Sequence, residues 1–257
     1  MAEPAGCAMV TGAGRRVGRA IAIDLAMHGW DIAVHYRSSH EEAEEVVREI
    51  RAIGRRAEAI GADLGDAGQT DGLIAAASDA VGPLDLLVNS ASLFVPDTAR
   101  DLTASGFDRH FSVNLRAPLQ LARDFAAQGE PAPGRNVINI VDQRVWRLTP
   151  HYMTYTASKY ALWGVTRTLA QALAPAIRVN AIGPGPTLAH QRQSAAQFDA
   201  EVGGTPLRRS PSLGEFGAAV RFIVATPSMT GQMIALDGGQ HLAWRTPDVI
   251  AGDERSG

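Results

Sequence analysis

Residues 7–18 read CAMVTGAGRRVG. The apolar run 7–11 has the length of a buried strand, and a helical hydrophobic pattern occupies 16–28. Between them stand Gly12, Ala13 and Gly14, with Gly18 a turn into the helix. A strand that passes through a glycine turn straight into a helix opens a βαβ unit. Outward from this stretch the same alternation recurs. Strands are predicted over 32–36, 57–62, 84–89, 136–141, 177–182 and 232–236. Helices are predicted over 41–53, 67–80, 104–127 (with Pro118 inside it), a segment through Tyr155 and Lys159 to 173, and 213–225.

Strands separated by helices pair in parallel through right-handed crossovers, which place helices on both sides of the sheet. The expected fold is α/β, a Rossmann-type doubly wound parallel sheet of about seven strands in a single domain over 1–245. Residues 246–257 are polar and glycine-containing and read as a tail. No repeat or low-complexity segment divides the chain.

The 257 residues carry 24 Lys plus Arg against 27 Asp plus Glu, a net charge of -3. The arginines are scattered rather than gathered into a stripe, so neither nucleic acid nor an anionic membrane is the expected partner. Cys7 is the only cysteine, which excludes an intrachain disulfide and a cysteine-built zinc site, and the histidines show no metal-ligand spacing, so no metal is expected. The first residues lack a basic region followed by an apolar run and a cleavage site. A cytoplasmic location is therefore the expectation. Among all the basic residues one is a lysine, Lys159. An ammonium and a guanidinium are not interchangeable where geometry is tight, so the exception marks a candidate for chemistry. Tyr155 stands four residues before it, on the same helix face.

In a doubly wound sheet, ligands bind beyond the carboxyl ends of the strands. Gly12, Asn89, Asp142 and Gly183 all fall on that edge. Glycines at the first turn allow close approach of a pyrophosphate to a helix N-terminus. At the end of the second strand an NAD enzyme usually carries an acid, and this chain has Tyr36-Arg37-Ser38-Ser39 instead. Arginine and hydroxyls suit a ribose 2′-phosphate, with Arg16 a second positive charge, so NADPH/NADP+ is the predicted cofactor. Asp63-Leu64, after the third strand, is placed to meet the adenine or to serve as an ordinary turn.

Thr11-Gly12 with its glycine turn, Asn89-Ser90-Ala91, Asn114, the Tyr155/Lys159 pair, Gly183-Pro184-Gly185 and the closing Leu236-Asp237-Gly238-Gly239 together resemble the short-chain dehydrogenase/reductase family. The resemblance covers almost the whole chain. Two departures from the common pattern are Arg16, where a glycine is usual, and Asp142, where the catalytic serine is usual. Both are shared by the pteridine reductase branch, which His35-Tyr36-Arg37-Ser38 and Asn89-Ser90-Ala91-Ser92-Leu93-Phe94 also resemble.

The resemblance implies a cofactor surface. Its parts are Gly12, Gly14, Arg16 and Val17 in the turn; Tyr36, Arg37 and Ser38; Asp63 and Leu64; Asn89, Ala91 and Ser92; and Pro184, Gly185 and Thr187. Tyr155 and Lys159 complete it at the nicotinamide end. The resemblance assigns the substrate to Ser92 and Phe94 beside Asp142 and Tyr155, and makes 187–210 a covering segment that sets specificity, in which Leu188, His190, Gln191 and Phe198 are candidates to line the pocket. It gives Asn114 a water-mediated link to Lys159, and it implies a homotetramer built partly through the long helices.

The chemistry of the residues points the same way. A carbonyl needs hydrogen-bond donors, and an ionised aspartate only accepts. Asp142 therefore suits a substrate that offers N–H groups or a ring nitrogen awaiting a proton. The expected reaction is hydride transfer from NADPH to a C=N carbon of a dihydropterin or folate-like ring. Tyr155 is the expected proton donor, assisted by Asp142, and Lys159 the group that lowers its pKa. Reduction of a carbonyl, such as a 3-oxoacyl thioester, is the enzymatic alternative. A non-catalytic NADPH sensor is the other. Trp146 is placed to flank the substrate, pack in the core or lie at an interface.

Overall fold

The computed structural model describes residues 5–129, 134–190 and 193–244. Its centre is a seven-stranded sheet, parallel throughout, in the order β3-β2-β1-β4-β5-β6-β7. The strands are β1 Gly6–Val10, β2 Trp30–Tyr36, β3 Ala57–Gly61, β4 Leu86–Asn89, β5 Arg135–Ile140, β6 Ile177–Pro184 and β7 Met233–Leu236. The helices are α1 Arg16–Met27, α2 His40–Ala52, α3 Ala67–Thr70, α4 Leu73–Val81, α5 Ala104–Phe111, α6 Ala117–Ala126, α7 Met153–Ala172, α8 Ala195–Gly203 and α9 Leu213–Val224.

The two-residue period of a strand divides the core. On β1, Ala8 and Val10 face one side, where Ile21 and Leu25 of α1, Val46 and Ile50 of α2, and Phe216 and Val220 of α9 close over them. Cys7 and Met9 face the other, against Ile74 and Val81 of α4, Leu121 and Phe125 of α6, and Ala170 of α7. Side chains such as Leu87 and Phe125 have no exposed surface, and burial on this scale stabilises by about 1.5–3 kcal/mol per side chain.

Chain order reverses at β1, which pairs β2 on one side and β4 on the other. The crossovers leave in opposite directions there, so a crevice opens beyond Val10 and Asn89. The site lies at this crevice.

Two local expectations are corrected. The helix expected over 67–80 is two helices, because Asp71 is extended and Gly72 adopts φ 78 before α4 begins. The helix expected over 104–127 is continuous only through a π-helical segment, Ser112–Arg116, which joins α5 to α6 and lets Pro118 sit in the first turn of α6. Within 187–210 the chain forms α8, closed at its N-terminus by a reciprocal capping box between Ser194 and Gln197. Gln191 and the tail 246–257 lie outside the described residues. Among the described residues no helix is long and apolar enough to cross a membrane.

Candidate active site

The turn after β1 is built by close approach. Gly12 adopts φ +65, where other residues are strained, and a Cβ on Gly18 would stand 2.4 Å from the Gly12 carbonyl oxygen. The Gly12 N–H donates to Nδ1 of buried His35 at 3.1 Å, and His35 Nε2 donates to the Ala62 carbonyl at 3.1 Å. One neutral imidazole thus ties the turn to β2 and to the end of β3. Burial lowers its pKa from 6.5 to about 4. Thr11 Oγ1 accepts from the backbone N–H groups of Ser90 and Ala91, both at 2.9 Å, which joins the turn to the segment after β4.

These walls enclose a cleft of about 890 Å³. Gly12, Arg16 and Val17 line one end with Tyr36, Arg37 and Ser38, and Asp63 and Leu64 extend it. Ala91, Ser92, Pro184, Gly185 and Thr187 line its flank. Arg37 is exposed and, among the described residues, makes no ion pair, whereas Arg15 beside it pairs with Glu42. Arg16 reaches elsewhere than expected. Its guanidinium donates to the carbonyls of Leu188 at 2.9 Å and Ala189 at 3.0 Å, bracing the segment after β6 across the cleft. Asp63 accepts from the Gly65 N–H at 2.8 Å and so also shapes its own turn.

The other end of the cleft holds Asp142, Tyr155 and Lys159. β5 delivers Asp142 just past Ile140, and α7 presents Tyr155 and Lys159 on one buried face. Tyr155 Oη donates to Asp142 Oδ2 at 2.8 Å. Asp142 Oδ1 accepts from the Arg144 backbone N–H at 2.8 Å. Lys159 Nζ donates to the Ile140 carbonyl at 2.7 Å. Burial raises the pKa of Asp142 against the opposing pull of the Arg144 charge. Burial, then the charge of Asp142, holds the Tyr155 phenol well above its ordinary value. Burial brings Lys159 down to about 8, so it remains an ammonium at neutral pH. The expectation that Lys159 sets the tyrosine's pKa is corrected on this point. The neighbours that act on the phenol are Asp142, which favours the protonated form, and the Arg144 charge, which opposes it more weakly.

An aromatic wall completes this end. Phe94 stacks on Tyr152, with centroids 4.3 Å apart and planes 5° apart, and meets Tyr155 edge-on at 4.6 Å. His190 stands edge-on to Phe94 at 5.9 Å, and Leu188, Phe198 and Gln193 border the same space. Tyr152 was not anticipated from the sequence. It occupies a left-handed conformation, φ 56, as the residue just before α7, and no periodicity signals such a position. Arg144 was missed as well, because it follows a strand with no pattern of its own.

Three expected site residues do not line the cleft. Gly14 faces Ser39 and Ala43 of the α2 N-terminus, where a Cβ would meet Ser39 Oγ at 3.0 Å. Asn89 is turned into the sheet and donates to Asn139 Oδ1 at 2.9 Å, cross-linking β4 to β5. Asn114 lies in the π-helical segment, and its amide is taken up by Leu93, Ser92 and Ser158. It clamps the loop that carries Phe94, and among the described residues its side chain makes no bond to Lys159. Trp146 is exposed and packs edge-on against His241 at 5.0 Å, away from the cleft lining.

This chain belongs to the short-chain dehydrogenase/reductase family: the family model described as enoyl-(acyl carrier protein) reductase matches residues 12–241. A solved structure of an alternative dihydrofolate reductase 1, FolM, of Brucella canis in complex with NADP is 51% identical, covers 95% of this chain and 97% of its own, and superposes with a TM-score of 0.92. An uncharacterised oxidoreductase of Methylorubrum extorquens is 34% identical over 240 residues, 90% of this chain and 96% of its own length. A 3-oxoacyl-[acyl-carrier-protein] reductase of Staphylococcus aureus is 30% identical over 240 residues, 91% of this chain and 98% of its own.

Proposed function

We propose that this protein is an NADPH-dependent reductase of a C=N bond in a dihydropterin or folate-like ring. The observation that carries the reading is the 2.8 Å hydrogen bond from Tyr155 to Asp142. A carboxylate stands where reduction of a carbonyl calls for a donor. The 51% identity with the FolM reductase of Brucella canis supports the same substrate class.

The residues present fit a dinucleotide. The turn at Gly12 and Gly18 leaves no room for a side chain, so backbone N–H groups can approach a pyrophosphate. Arg37, unpaired among the described residues, stands at the β2 end of the cleft, where a 2′-phosphate would be received. When bound, NADPH supplies the hydride. Lys159 would hold the nicotinamide ribose hydroxyls, and its ammonium, which donates a hydrogen bond to the Ile140 carbonyl, is fixed at the depth of Tyr155. Tyr155 keeps its proton at neutral pH and gives it to the ring nitrogen. Asp142 orients the phenol and accepts a substrate N–H through its remaining lone pairs. Phe94 and Tyr152 supply a flat apolar wall for the ring.

Asp142→Ser is expected to lower kcat/KM for a dihydropterin roughly tenfold to a hundredfold, with ketone turnover unchanged or raised. Following nicotinamide absorbance with both substrates checks it, and dihydropterin reduction at the wild-type rate would reject the role given to the acid. Replacing Arg37 with Ala is expected to cut the preference for NADPH over NADH on the order of tenfold, about 1.4 kcal/mol. A ratio of kcat/KM values equal to wild type would show that Arg37 does not read the 2′-phosphate. Exposed apolar residues on α5 and α7, Phe107 and Tyr160 among them, support assembly of the long helices into a homotetramer. Sedimentation as a monomer would reject that assembly.

Carbonyl reduction is the second reading. It is favoured by the likeness to the 3-oxoacyl reductase and by a Tyr155 and Lys159 arrangement that serves a ketone equally well.

A further inference from the structure

Four arginines line the cleft, and three have other tasks. Arg15 pairs with Glu42, Arg16 braces the Leu188 and Ala189 carbonyls, and Arg37 stands at the β2 end. Arg144 is the fourth, and it is in the substrate half. Its side chain is only 18% exposed. Its guanidinium lies over the faces of Phe94 and Tyr152, 5.7 and 5.3 Å from their centroids. Its nearest charged partner is Asp142, with Nη1 at 3.6 Å from Oδ2, beyond hydrogen-bond length. Its Nε is buried with no partner. A guanidinium has five N–H donors in a fixed fork, and a largely buried fork whose Nε has no partner is poised for an acceptor that arrives with a ligand.

Asp142 is the complement. Its oxygens already accept from Tyr155 and from the Arg144 backbone, yet a carboxylate has further lone pairs for one more N–H. The two side chains therefore offer an acceptor and a donor next to each other beside one aromatic wall. We propose that Arg144 is a specificity-determining residue that, with Asp142, reads a ring edge carrying an N–H beside a carbonyl oxygen. The N–H goes to Asp142 and the oxygen to the Arg144 fork. This rests on the C=N reductase reading above and adds to it which edge of the ring is recognised and by which residue. Rings without the oxo group lose half of the recognition. Arg144 moves no proton and receives no hydride, so its main effect falls on substrate binding, with a smaller one on turnover through its charge beside Asp142.

The test compares two ring systems on the NADP+ complex and on the turning-over enzyme. One is a pterin, which carries the oxo group beside a ring N–H, and the other a pteridine lacking that oxo group. Calorimetric titration of the oxidised rings into the wild-type NADP+ complex is expected to show the pterin bound roughly tenfold or more tighter. In Arg144→Met that preference disappears, because the pterin weakens while the deoxo ring is unchanged. Arg144→Lys keeps the charge but not the fork and is expected to restore only part of it. With the dihydro forms, KM for the pterin rises in Arg144→Met while kcat stays within a few-fold. Equal weakening of both rings, or a fall in kcat with KM unchanged, would overturn the proposal, since Arg144 would then act only through Asp142. A wild type that binds neither ring overturns it also. Arg144-dependent pterin binding with no turnover, alongside brisk ketone reduction, would uphold the edge recognition and reject the C=N reductase reading instead.

Discussion

Tyr155→Phe is expected to lower kcat on the order of 10²–10⁴-fold, the range for loss of a positioned proton donor, with little change in fold or cofactor binding. The ring of residue 155 is 6% exposed and meets Phe94 edge-on at 4.6 Å, contacts that a phenylalanine keeps. What the substitution removes is the O–H that donates to Asp142. Asp142 retains the Arg144 N–H and the nearby guanidinium, so it is not left as an isolated buried charge. A dye-free thermal melt should therefore move little while single-turnover reduction is nearly abolished. Turnover within a few-fold of wild type would remove Tyr155 from the proton-donor role.

A second large effect is on stability. His35 is buried and neutral in the fold, with its pKa lowered from 6.5 to about 4. Between those values the unfolded chain takes up a proton that the folded chain refuses. The contribution of His35 is complete above pH 6.5 and is lost progressively as the pH falls toward 4. The full loss is about 3 kcal/mol at 1.36 kcal/mol per pKa unit. Carboxylates also titrate in this range, so the difference from a variant is the quantity to read. His35→Asn can still accept from the Gly12 N–H but cannot take up a proton. Urea unfolding at pH 7 and near pH 4 should show the wild type losing about 3 kcal/mol more than the variant. Parallel losses would show that His35 does not titrate with unfolding. Because the imidazole accepts from Gly12, its protonation also breaks the bond that holds the glycine turn, so cofactor affinity should fall in the same window.

Much of the fold is written in local pattern. The seven strands are short apolar runs flanked by amphipathic helices, and each appears within a residue or two of its expected place. The breaks are harder to read. The break between α3 and α4 turns on an extended Asp71 and the positive φ of Gly72, and glycine within a helical pattern carries no label for that choice. The π-helical segment at Ser112–Arg116 depends on tertiary contacts of Asn114 with Leu93 and Ser158, which are distant in sequence. The site divides in the same manner. Tyr155 and Lys159 are legible because four residues on a helix fix their common face. Asp142 is legible from its spacing to them. Tyr152 and Arg144 are not, since one depends on a left-handed backbone and the other on stacking against rings brought from the segment after β4 and the residue before α7. Asn89 shows the reverse case. Its place at a strand end is correct, but the strand's alternation turns it into the sheet.

Lys159 has a consequence outside catalysis. It is the chain's one lysine, 2% exposed in the middle of α7, so an endoproteinase that cuts only after lysine has one bond to attack and the fold conceals it. A protease needs an extended strand in its groove, and α7 must unwind before it provides one. Fragment appearance under such digestion is thus a gauge of how often α7 opens, read as a single cut on a gel. Ligands that bind the cleft should slow that cut in proportion to their occupancy.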